Sequence, residues 1–239
     1  TEIYTLSLHD ALPICDAMKH HALAIDGPAG AGKSTVAKML AKRLGYTYID
    51  TGAMYRATTL KALKLKIDLE DPEAFRFLDE TTMEFRDGVL YMDGEDVTNK
   101  IRANAVSNNV SVVASHIPVR NRLVELQQKI ARGANVVMDG RDIGTIVLPA
   151  ADLKIFMTAT VEERARRRHE ENLMLGIDSD LNRLIREIER RDRIDSSRSY
   201  NPLKQAEDAV YLDTSHLDIK AVAQTIYDMF IKAIDTKRS

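Results

Sequence analysis

The chain has 239 residues, 34 Lys plus Arg against 36 Asp plus Glu, a net charge of -2 and 44% hydrophobic residues, which suits one globular unit with small insertions and excludes disorder and collagen. So balanced a charge leaves no global basic field for nonspecific nucleic-acid binding, and any anion must be recognised by a local cluster. The single cysteine, Cys15, excludes an internal disulfide and a cysteine-ligated zinc site and points to a reducing, cytoplasmic setting, while no apolar run approaches the roughly 20 residues a bilayer span needs.

Residues 1–15 carry no basic n-region and are broken by Asp10 and Pro13, so they do not form a signal peptide. They read as an appended segment, with residues 1–17 non-native and the native start at Met18. The short apolar run 22–25 then ends in Asp26 and a glycine-rich turn, as a parallel strand covered on both faces would. From Lys33 to Leu44 the residues Val36, Met39, Leu40 and Leu44 share one helical face, and Gly45 stands where a left-handed C-cap ends a helix. Similar apolar runs at 46–49, 136–138, 153–157 and 209–212, with helical patterns between and a last one over 219–231, predict a doubly wound parallel sheet. Two stretches interrupt the alternation. Over 82–95, alternating residues flank Asp87-Gly88 and are followed by Asp93-Gly94, the mark of a small antiparallel insert. The stretch 161–200 is helical and dense in arginine, and the spacing of Glu162 with Arg166, Glu163 with Arg167 and Glu187 with Arg191 would also suit a solvated helix face. His169 and His216 belong to no motif.

Between the first strand and the first helix, Gly27-Pro28-Ala29-Gly30-Ala31-Gly32-Lys33-Ser34 fits G-x-x-x-x-G-K-[ST], with Thr35 following. Its glycines let successive N–H groups converge on phosphate oxygens at a helix N-terminus, Lys33 would reach the β and γ phosphates, and Ser34 would ligate Mg²⁺. Asp139 ends a later apolar strand, at the sheet edge where open α/β sheets bind ligands, and is the candidate second holder of that ion.

A phosphate cradle alone fits a GTPase, a motor or a small-molecule kinase. Guanine recognition needs NKxD, yet Asn99-Lys100 continues Ile101-Arg102, and neither the remote coupling elements nor the size of a motor is present. Instead Asp50-Thr51-Gly52-Ala53-Met54-Tyr55-Arg56 and Asp139-Gly140-Arg141-Asp142 follow strand ends, so two arginines stand ready for a second anion. With these motifs, and with PVR, RRDRIDSSR and NPL, the chain closely resembles the bacterial cytidylate (CMP) kinase family from about residue 21 to 234.

The resemblance implies a P-loop three-layer α/β fold, with a five-stranded parallel sheet, helices on both faces, a small antiparallel β insert and a helical lid. It divides residues 18–239 into a core (20–60, 105–160 and 205–236), an acceptor-side insert (about 61–104) and a lid (about 161–204). It implies γ-phosphoryl transfer from MgATP to CMP, and to dCMP, by a cytoplasmic monomer with no membrane or nucleic-acid partner. Carried over by motif, Thr51, Arg56, Arg141 and Arg198 would hold the acceptor phosphate, Ser111, Arg120 and Asp142 would read cytosine, and Arg191 and Asp195 would hold the ribose, with Tyr55 packing on the nucleoside. Lys33, Arg141, Arg191 and Arg198 are then the candidates for the catalytic charges. Ser34 stands where some members carry glycine, and Ile194 and Ser196 where some carry further arginines. A kinase for another monophosphate such as UMP, or an ATP-binding regulatory module without turnover, are the alternatives.

Overall fold

The computed structural model describes residues 20–174 and 176–238; the segment read as appended lies outside them. Five parallel strands, β1 (Ala22–Asp26), β2 (Thr47–Asp50), β6 (Val136–Gly140), β7 (Leu153–Thr158) and β8 (Val210–Asp213), form one sheet in the order β2-β6-β1-β7-β8. Each apolar run of the sequence is therefore a strand, displaced by at most a residue or two. The order puts β1 at the centre, and the chain leaves it toward both edges, which opens a crevice outside the carboxyl ends of the strands.

Side-chain alternation divides the core between two faces. Leu23, Ile25, Val137, Ile155 and Met157 pack against α1 (Lys33–Leu44) and α7 (Ile219–Arg238). On the other face Ala24, Ile49, Val136 and Met138 meet the π-turn Ile143–Val147 and Val124 and Ile130 of α4 (Ile117–Arg132). Gly45 ends α1 at φ 68°, its N–H donating to the Ala41 carbonyl.

A second core lies beneath the acceptor side of the crevice. It gathers Met54 and Tyr55 of α2 (Thr51–Leu65), Val110 and Val113 of α3 (Asn104–Val113), and Leu123 of α4 around the insert. That insert is a three-stranded antiparallel sheet, β3 (Met83–Arg86), β4 (Val89–Met92) and β5 (Glu95–Asp96). Both of its turns carry a positive φ at each central residue, 52° and 77° at Asp87-Gly88 and 51° and 79° at Asp93-Gly94, which matches the strand twist. The arginine-rich stretch forms α5 (Val161–Met174) and α6 (Leu181–Ser197), joined by a small core of their own from Ala165, Leu184 and Ile188. No helix among the described residues is long and apolar enough to cross a membrane.

Candidate active site

Gly27, Gly30 and Gly32 take φ of 145°, 78° and 87°, backbone that side chains resist. At Gly27 the constraint is also contact, since a Cβ there would stand 1.8 Å from the Met157 carbonyl oxygen of β7. The loop thus lies flat on the sheet edge, with Pro28, Ala29 and Ala31 buried. The first turn of α1 holds no acidic residue to neutralise its N-terminal partial charge. Lys33 opens that helix, is buried, and donates to the Pro28 carbonyl at 2.7 Å. Burial and the neighbouring Arg141 push its ammonium below the ordinary lysine value, against the pull of Asp139 and Asp26. Thr35 is exposed on the same turn.

Register then aligns three carboxylates at the sheet edge. Asp50 of β2 lies opposite Asp139 of β6, and Asp26 of β1 lies opposite Gly140, one step further along. Asp139 accepts from the Ser34 hydroxyl at 2.7 Å and the Tyr48 hydroxyl at 2.8 Å, and its backbone carbonyl accepts from Thr51 at 2.7 Å. Burial raises its carboxyl above the usual range, and Asp50 adds to that, while Lys33 opposes it. A hydroxyl beside a carboxylate is a hard-oxygen pair that suits Mg²⁺. Among the described residues no group of three or more His, Cys, Asp or Glu gathers to hold an ion unaided. Residues Ser34 and Asp139 therefore fit an ion that takes its remaining ligands from phosphate and water.

Opposite the loop, side chains from distant parts of the sequence converge. Arg141, following β6, donates to Asp195 of α6 at 2.9 Å, and Arg198 pairs with the other oxygen of the same carboxylate. Burial works against ionised Asp195, but Arg141 and Arg198 hold it below the usual carboxylate value. Arg191 of α6 is pushed down to about 9, first by burial and then by Arg141, with Arg56 and Arg168 adding repulsion. Its Nε, like that of Arg198, is buried without a hydrogen-bond partner among the described residues. Arg56 also braces its own helix start: it binds Asp50 at 2.9 Å, the residue that caps α2 by accepting from the Ala53 N–H at 2.8 Å.

Deeper on the acceptor side, buried Arg120 pairs with buried Asp142, donates to the Ala114 carbonyl at 3.1 Å, and lies 5.5 Å from the centre of the Tyr55 ring. The Tyr55 hydroxyl, whose ionisation is opposed by burial, has no partner among the described residues. Ser111 is half-buried on α3, and its hydroxyl makes no hydrogen bond to a described residue.

The structure thus brings Lys33 of the loop, Asp139, four arginines and the Arg120-Asp142 pair within reach of one another's charge, whereas it shows Thr35 only as exposed on α1 and Ser111 only as half-buried on α3. Of the ion pairs expected along the lid it forms Glu163 with Arg167 and redraws the other two. Glu163 takes both Arg166 and Arg167, Arg166 also reaches Glu170, and Arg183 rather than Arg191 faces Glu187. Arg191 is instead half-buried near Asp195, among arginines that repel it. Among the described residues His169 has one hydrogen-bond partner, Ser179, at 2.9 Å. Sequence reasoning missed Tyr48, Asp26 and Arg164. Tyr48 looks like a strand aromatic until register sets its hydroxyl beside Asp139. Arg164 is indistinguishable in sequence from its solvated neighbours, yet it is buried and donates to the Ala29 carbonyl of the loop and to the Ala159 carbonyl, each at 2.9 Å, and to Asp192 at 2.7 Å.

The cytidylate kinase family model matches residues 23–232, most of the chain. The chain belongs to the cytidylate kinase family. It is 54% identical over 212 residues to the cytidylate kinase of Geobacillus thermodenitrificans, a match covering 87% of this chain and 95% of that protein. For the Exiguobacterium cytidylate kinase the identity is 56% over 209 residues, covering 85% and 93%, and for that of Streptococcus pneumoniae it is 53% over 215 residues, covering 87% and 96%. A solved structure of an uncharacterized protein from Eubacterium ventriosum aligns with a TM-score of 0.50 at 13% identity, covering 88% of this chain and 98% of that one, a likeness of fold alone. As a cytidylate kinase family member the chain is an ATP-dependent kinase.

Proposed function

We propose that this site transfers the γ-phosphoryl group of MgATP to CMP, and to dCMP, giving ADP and CDP or dCDP. The observation that carries the reading is geometric: at the strand ends the glycine loop with Lys33 and the Ser34–Asp139 pair is joined by Arg141 and Arg198, which share the single carboxylate of Asp195. An anion cradle and a pair of under-neutralised guanidinium groups at one sheet edge suit two polyanions end to end.

In the transfer, an oxygen of the acceptor 5′-phosphate attacks the γ phosphorus, and the bond to the β-phosphate oxygen breaks with its electron pair left on ADP. The acceptor oxygen is already ionised, so no general base is required, and positioning and charge neutralisation carry the rate. Loop N–H groups and Lys33 would hold the ATP phosphates. Ser34 and Asp139 would hold Mg²⁺, which when bound would supply charge neutralisation to the ATP phosphates. Thr51, Arg56, Arg141 and Arg198 would fork onto the acceptor phosphate, which carries more charge than the carboxylate Arg141 and Arg198 now share. Asp195, so relieved, and Arg191 would take ribose hydroxyls. On the acceptor side Ser111 and Arg120 would line the base, Tyr55 would pack on it, and Asp142 would accept from the cytosine amine, where uracil offers only a carbonyl oxygen. Residues 161–204 act as the lid that excludes water, 61–104 as the acceptor-side insert, and the remainder as the core. The protein works as a cytoplasmic monomer on free nucleotides.

The test is ADP release with CMP, dCMP, UMP and AMP as acceptors, repeated on Lys33→Ala and Asp142→Ala. CMP and dCMP should lead, Lys33→Ala should abolish turnover, and Asp142→Ala should erase the preference for CMP over UMP. ATP binding with no CDP formed would favour a regulatory module instead.

A further inference from the structure

Asp26 has no part in the roles given above. It is the last residue of β1, directly before the loop, and only 4% exposed. Its two carboxylate oxygens point away from the loop, toward β6: one accepts from the Ile143 N–H at 2.8 Å, the other from the Gly144 N–H at 2.7 Å. Those N–H groups open the π-turn that immediately follows Arg141 and Asp142. The turn also closes tightly on the carboxylate from the other side. A Cβ added at Gly144 would lie 3.3 Å from Asp26 Oδ2 and 3.1 Å from Cδ of Lys154, whose own ammonium is engaged by Asp208 at 2.8 Å. Among the described residues its hydrogen-bond partners are backbone N–H groups alone, with Asp142 and Lys33 near enough to act through space.

We infer that Asp26 is a positioning residue: by clamping the Ile143 and Gly144 N–H groups it fixes Asp142 relative to the strand that carries the ATP loop, and selection of cytosine depends on it. The inference rests on the reading of Asp142 as the base acceptor. A carboxylate suits this task because its two oxygens accept both N–H groups at once, whereas an amide offers one acceptor and sets its NH₂ against the second donor. Losing one clamp point lets the turn swing. Asp142 follows it, since it is the residue adjoining the first clamped N–H.

Steady-state kinetics with CMP and with UMP on Asp26→Asn, Asp142→Asn and the double variant test this. Asp26→Asn should lower the CMP-over-UMP ratio of kcat/KM by about tenfold while the KM for ATP changes less than about threefold, and adding it to Asp142→Asn should lower the ratio no further, the non-additivity expected of residues acting as one unit. If Asp142→Asn lowers the ratio and Asp26→Asn leaves it unchanged, the inference is overturned. If Asp142→Asn itself keeps the ratio, the fault lies with the reading of Asp142. If Asp26→Asn does not fold, Gly144→Ala decides: it keeps the charge and both N–H groups but crowds their contact, and it should lower the same ratio. An unchanged ratio in Gly144→Ala then overturns the inference.

Discussion

Arg120→Met should be among the most damaging substitutions to stability that can be made in this protein. Arg120 is 1% exposed, and among the described residues it is the cation paired with Asp142, whose side chain is 7% exposed. Methionine fills much of the same volume, but it leaves a buried carboxylate without its counter-charge and the Ala114 carbonyl without its side-chain donor. Breaking a buried pair from one side costs about 3–5 kcal/mol, and in a domain of this size each kcal/mol lowers Tm by roughly 2–4 °C, so a fall of about 10 °C or more is expected. Removing both charges with Arg120→Met and Asp142→Leu should return most of that loss, to within about 2 kcal/mol of the original protein, because the penalty belongs to the stranded charge and not to the absent bond. Thermal and denaturant unfolding of the two single variants and the double variant close the cycle. A single variant costing less than about 1 kcal/mol, or a double variant as unstable as the sum of the singles, would refute the view that the pair is desolvated.

Gly140→Ala should lose stability by about 1–3 kcal/mol and raise the KM for CMP, because its Cβ would sit 2.6 Å from the Thr51 hydroxyl and 2.7 Å from Ile143 Cδ1, displacing a proposed phosphate ligand; unfolding and acceptor titration check both, and an unaffected KM would detach Thr51 from the acceptor. Arg164→Met removes the donors to Ala29 and Ala159 and should raise the KM for ATP about tenfold or more with less effect on CMP. Equal effects on both substrates would mean that Arg164 serves only the lid. Burial raises the Asp26 carboxyl from 3.8 to about 6. Because folding thereby favours the protonated acid, the penalty is absent below the unfolded value, grows as pH rises between the two, and is complete above the folded one, where it amounts to about 3 kcal/mol. The stability of Asp26→Asn relative to the original protein should therefore improve by that order between pH 4 and pH 7 in denaturant unfolding, and a flat difference would contradict it.

Strands and loop were legible because both are local patterns. Short apolar runs bounded by turn chemistry gave the strands, although the last, β8, is an exposed edge strand and not one covered on both faces, and the glycine spacing from Gly27 to Gly32 states a backbone requirement that the φ angles meet. Both hairpin turns were legible for the same reason. What the sequence concealed is long-range pairing. Nothing local distinguishes Arg164, which touches the loop, from Arg166, which lies in solvent between two glutamates, and helical spacing assigned Glu187 to the wrong arginine. Asp26 reads as a turn residue before glycine, and only the β1–β6 register reveals that its carboxylate reaches the next strand's turn. Period and turn signals predict which elements form, whereas a buried charge takes its partner from sheet order and register.

The partners of the arginines carry the remaining step. Asp50 holds Arg56, and Asp195 is shared between Arg141 and Arg198, so the chain supplies its own carboxylates where the acceptor phosphate would bind. These pairs hold the guanidinium groups in place before any nucleotide contacts them, which reduces the ordering a phosphate must impose. They are also replaceable. One carboxylate divided between two arginines neutralises each only in part, and a phosphate presenting more charge and more acceptor oxygens can displace it. Arg191 forms no ion pair among the described residues, and burial together with Arg141 lowers its pKa despite the attraction of Asp195. Within reach of Arg141, Arg56 and Arg168, it is the charge that a nucleotide bound beside Asp195 would relieve most.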